Sequence, residues 1–85
     1  MDNVDRTLVI WIKDGDYRKE ILKMLEEKPM LPSEVAERLE IHRSSTSRLL
    51  KRLKEKGLIE NITSESRTVE YSLSKKGKKY LTCIS

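Results

Sequence analysis

One histidine, His42, and one cysteine, Cys83, are the chain's whole supply of imidazole and thiol. A closed zinc site takes four Cys or His ligands, and a catalytic Cys–His pair takes a third group to orient the imidazole. Two residues meet neither need. The three glycines, Gly15, Gly57 and Gly77, stand apart and form no phosphate-cradling loop. These residues argue against an enzyme, a bound metal or a cofactor. Fixed positive charge is what the sequence does concentrate. Arg43, Arg48, Lys51, Arg52, Lys54 and Lys56 fall within one short segment against a single acid, Glu55, with Ser44 and Ser47 among them. Guanidinium groups make paired hydrogen bonds to guanine edges, and short hydroxyls contact several bases. The chemistry on offer is recognition of a polyanion.

Charge is unevenly spread along the 85 residues. The formal net charge is +4. Residues 1–40 hold 7 basic and 10 acidic side chains, a net of −3, while residues 41–85 hold 11 basic and 4 acidic, a net of +7. Such asymmetry separates a polyanion-facing side from a solvated one. The longest apolar run, Leu8 to Ile12, has five residues, far below the roughly 20 that span a bilayer. Asp2 and Asp5 occupy the place of a basic signal-peptide start. A lone cysteine excludes an internal disulfide framework and fits a reducing, cytoplasmic setting. One domain covering residues 1–85 is expected, without a membrane segment.

The elements that position the basic segment follow from periodicity. Val4, Leu8, Trp11 and Ile12 predict a short helix from Asp5 to Asp14, with a strand as the competitor because of the β-branched run. Gly15 breaks it and Asp16 is the expected N-cap of a second helix. That helix has an apolar stripe of Tyr17, Ile21, Leu22, Met24 and Leu25, and closes before Pro29. Pro32 opens a third helix reaching Glu40. The fourth runs from Arg43 to Lys56 and stops at Gly57, with Thr46, Leu49, Leu50 and Leu53 as its core stripe. Residues 58–62 and 68–73 read as two strands, the second placing Val69, Tyr71 and Leu73 on one face. Ser74 caps a short basic helix, broken or loosened at Gly77 and ending near Thr82.

This order is mainly α with a small β-hairpin, the α+β layout of a winged helix-turn-helix: three to four helices, a two-stranded wing and a short C-terminal helix. Three segments resemble MarR/ArsR-type regulators of this fold: Pro32-Ser33-Glu34-Val35-Ala36-Glu37-Arg38-Leu39, the run from Ser47 to Ile59, and Tyr71-Ser72-Leu73-Ser74-Lys75-Lys76-Gly77. The segment from Trp11 to Arg18 is similar to that of a small, archaeal-style branch. The resemblance implies a sequence-specific, double-stranded DNA-binding transcription regulator whose recognition helix, 43–56, enters the major groove.

On that helix the face opposite the core stripe is Ser44, Arg48, Lys51 and Glu55, with Ser47 and Lys54 on one flank and Arg52 on the other. Arg43, Ser44, Ser47 and Arg48 are therefore the expected base readers, and Lys51 and Arg52 the phosphate contacts. His42 is expected as a cap or phosphate-side contact, and Ser33 as a first-turn residue near a phosphate. The wing, residues 62–68, departs from the pattern: Thr68-Val69 stands where relatives place Gly-Arg. Arg67 alone is left for a weak contact to the backbone or minor groove.

Leu8, Trp11, Ile12, Tyr80, Leu81 and Ile84 exceed what two short terminal elements are expected to bury, which points to a homodimer pairing through both ends. Folding back onto the core is the competing explanation. Two other functions fit the layout: a winged-helix protein–protein interaction module, and an architectural protein coating DNA without sequence preference.

Overall fold

The computed structural model describes residues 4–63 and 68–84. Asp5 starts α1 (Arg6–Asp14), its carboxylate accepting from the Thr7 amide at 2.9 Å. A strand would place Leu8, Ile10 and Ile12 on one side. Instead Leu8 and Ile12 are buried while Ile10 is 58% exposed, so burial one turn apart decides for the helix.

The corner after α1 is tighter than the sequence suggests. Asp16 does not cap α2 (Arg18–Glu27). The N-cap position falls on Tyr17, which sits in the left-handed region at φ 69° and makes no side-chain cap. That conformation swings the ring out of the apolar stripe, leaving it 41% exposed. Ile21, Leu22, Met24 and Leu25 form the inward face of α2. Fully burying one such side chain contributes about 1.5–3 kcal/mol.

Met30, 1% exposed, lies between α2 and α3 (Pro32–Leu39). Its backbone exchanges two hydrogen bonds with Tyr71, of 2.9 and 2.8 Å, which form an isolated bridge. Glu34 accepts from the Leu31 amide at 2.9 Å and satisfies one of the free donors at the start of α3. α4 (Arg43–Glu55) follows, ending at Lys56 and at Gly57, whose φ of +77° suits glycine.

β1 (Ile59–Thr63) and β2 (Val69–Leu73) pair antiparallel, with Ile59 opposite Leu73 and Thr63 opposite Val69. Val69, Tyr71 and Leu73 do not form one buried face. Leu73 is buried, Tyr71 half-buried and Val69 40% exposed. The base of the hairpin rests on the core, while Ile62 and Val69 nearer its outer end are exposed.

α5 (Lys75–Ile84) begins at Ser74, whose Oγ accepts from the Gly77 amide at 2.9 Å and donates to the Gly57 carbonyl at 2.6 Å. Gly77 neither breaks nor loosens this helix, which runs two residues past Thr82. It is buried where α5 crosses the start of the hairpin. A Cβ there would overlap the Leu58 carbonyl oxygen and stand 2.6 Å from Leu73 Cδ1. Glycine is required by close approach rather than by a break.

The two chain ends account for most of their own apolar surface. Leu8, Ile12, Tyr80 and Leu81 lie inside the one core, at 7%, 0%, 3% and 2% exposure, which corrects their expected place in a dimer interface. α5 packs against both α1 and α2, and the buried Tyr80 hydroxyl accepts from the Asp5 amide at 2.7 Å. Trp11 and Ile84 are half-buried against the same core. Among the described residues, no helix is long and apolar enough to cross a membrane.

Candidate nucleic-acid interface

α3 and α4 form a helix-turn-helix. The reversal between them places Glu40 in the left-handed region at φ 56°. The Glu40 amide donates to Glu37 O at 3.2 Å, and that of Ile41 to Ala36 O at 3.1 Å. Val35 and Ala36 on α3 are buried, as are Thr46, Leu50 and Leu53 on α4. Leu49 is only half-buried, at the margin of the stripe. Thr46 is a polar residue at 0% exposure. Its hydroxyl donates to the His42 carbonyl at 3.1 Å, so no polar atom is stranded in the core.

Anchoring one side of α4 presents the other to solvent. Arg43, Ser44, Ser47, Arg48, Lys51 and Arg52 are all exposed. No carboxylate pairs with Arg43, Arg48, Lys51 or Arg52 among the described residues; the ion pair of Arg38 with Glu27, at 4.0 Å, lies elsewhere. Those guanidinium groups therefore keep their donors free for an incoming anion. His42 occupies the N-cap position of α4 in extended backbone, exposed, and its side chain caps nothing. The cap interaction at this turn comes from its carbonyl, which accepts from the Thr46 amide at 3.0 Å as well as from the hydroxyl.

Ser33, in the first turn of α3, is half-buried. Arg67 lies outside the described residues, so the structure brings together the α4 set and leaves the wing contact unaddressed. Two residues not expected from the sequence join the site. Ser45 and Arg18 line, with Arg48 and Arg52, a cleft of about 400 Å³ between the α1–α2 corner and the flank of α4. Helical spacing alone could have placed Ser45 beside Leu49 and Arg52. Nothing local in the sequence connects residue 18 with residue 48.

This arrangement of four helices, a hairpin and a closing helix is a winged helix-turn-helix. A MarR family model matches residues 19–67, and the chain belongs to that family. Solved structures agree. ZitR of Lactococcus lactis, a variant in complex with DNA, has a TM-score of 0.74 at 28% identity, covering 80% of this chain and 48% of that one. HlyU of Vibrio cholerae has a TM-score of 0.74 at 29% identity, covering 92% and 86%. The transcriptional regulator BldR of Sulfolobus solfataricus has a TM-score of 0.72 at 26% identity, covering 78% and 49%. The chain thus spans about half the length of the ZitR and BldR chains it matches. No curated protein matches the sequence.

Proposed function

We propose that this protein is a sequence-specific, double-stranded DNA-binding transcription regulator that acts by occupying an operator and not by catalysis. One observation carries the reading. The outer face of the second helix in a helix-turn-helix carries arginines and serines, and the arginines have no carboxylate partner among the described residues. A helix of this width enters the major groove, and its first two turns meet the base edges. Arg43, Ser44, Ser47 and Arg48 read bases there, Lys51 and Arg52 hold phosphates, and His42 and Ser33 approach the backbone at the two helix starts. The wing, through Arg67, adds a weak contact. The similarity to a ZitR variant solved in complex with DNA supports DNA as the partner.

The protein works in the cytoplasm as a homodimer, which sets a second α4 about 34 Å away along the duplex, one DNA turn. With Leu8, Ile12, Tyr80 and Leu81 inside the core, pairing draws on Ile10, 58% exposed, and on the half-buried Trp11 and Ile84. Sedimentation at increasing concentration tests this: a monomer throughout refutes the pairing.

The function itself is tested by binding to a selected duplex and to its scrambled counterpart across a salt series. A regulator gives steep salt dependence and a specificity ratio above about 10³. Equal affinities would mark an architectural protein. No binding at low salt would leave the protein–protein module.

A further inference from the structure

The cleft beside α4 gathers three guanidinium groups, Arg18, Arg48 and Arg52, against one carboxylate, Asp16. Arg18 is held in this position from three sides. Its guanidinium lies 3.9 Å from the centre of the Trp11 ring, a cation–π contact. It donates to the Trp11 carbonyl. Its side chain also crosses Gly15 so closely that a Cβ there would overlap it. The carbonyl takes one of five guanidinium donors, and Arg18 lines the cleft with donors to spare.

Beside it, Tyr17 is an exposed aromatic residue kept at positive φ. The first turn of α2 starts there with no side-chain cap, which adds free amides and the positive end of the helix dipole.

We propose that the α1–α2 corner is a second DNA contact, in which Arg18, preset by Gly15 and Trp11, binds a backbone phosphate flanking the one held by Arg52. The proposal rests on the DNA-binding reading above. The occupant follows from charge: a cleft with three cations and one anion, continuous with the exposed cationic face of α4, matches the next phosphate of a duplex already seated on that helix. The contact carries no sequence information. It sets how far the protein tilts on the duplex, and so which turn of α4 meets the bases.

Fluorescence anisotropy with a selected and a scrambled duplex, each across a sodium chloride series, tests it. Arg18→Gln should make the plot of log affinity against log salt shallower by about 0.9, equally for both duplexes, while Arg18→Lys keeps the slope because it keeps the charge. Gly15→Ala leaves every charge in place but unseats the guanidinium. It should weaken both duplexes several-fold with an unchanged melting temperature, and it carries the test if Arg18→Gln folds poorly.

Wild-type slope and affinity in Arg18→Gln overturn the proposal. So does equal weakening in Arg18→Gln and Arg18→Lys at constant slope, which would mark a packing role against Trp11. Failure of the wild-type protein to bind either duplex is a different result: it removes the DNA-binding reading itself.

Discussion

α4 and α5 each carry a formal charge of +4, from five cations and one carboxylate on the first and four lysines on the second. Their sequences suggest similar surfaces, and the structure separates them. On α4 the cations include three arginines in a serine-rich segment, and Arg48 and Lys51 lie opposite a buried stripe of Thr46, Leu50 and Leu53. Arg52 and Lys54 fall in the last turn, where the helix dipole favours positive charge. On α5 the lysines crowd the first turns, against the dipole, and the helix is held by Ser74, Gly77, Tyr80 and Leu81. Lysine is a hydrated point charge, whereas the arginine fork is preorganised for paired hydrogen bonds. Equal charge therefore marks the proposed recognition surface on one helix and a lysine-rich covering on the other.

The strongest way to show that α5 is structural is Gly77→Ala. The Leu58 carbonyl is backbone and cannot yield, so stability should fall by about 3 kcal/mol. Denaturant unfolding measures this, and a change under 1 kcal/mol would mean that α5 stands off the hairpin. On α4, Arg48→Ala should lose about 2 kcal/mol of affinity for the selected duplex while the melting temperature stays fixed. An equal loss on scrambled DNA would reduce Arg48 to a phosphate contact.

The helix-turn-helix reversal offers a smaller effect. Glu40→Gly removes a side chain held at φ 56° and should raise stability by about 1 kcal/mol, read from the urea midpoint. The smallest effect is expected from replacing Lys75 and Lys78 together by alanine. Stability and DNA affinity should each move by less than about 0.5 kcal/mol. A loss of affinity matching that of Arg48→Ala would erase the distinction between the helices.

Much of the fold was legible because its elements are punctuated by local chemistry. Pro32, Gly57 and Ser74 set boundaries that the structure keeps, and the inward stripe of α4 follows from period alone. The exposed α4 residues were legible for the same reason, as the complement of that stripe. The misreadings are local at the α1–α2 corner and long-range elsewhere. Tyr17 looked apolar because its type and spacing fit a stripe, yet a tight corner in the left-handed region turned it outward. Gly77 looked like a break because the Leu58 carbonyl that excludes a side chain is 19 residues away in sequence. The terminal apolar residues looked surplus because nothing local shows that α5 returns to cover α1. Arg18 joins the α4 flank by the same kind of closure.

The paired hydrogen bonds between Met30 and Tyr71 give the hairpin a mechanical role. Only Leu31 separates that bridge from Pro32, the first residue of α3. The sheet and the start of α3 thus share one backbone anchor, so the position of β2 fixes where the helix-turn-helix begins.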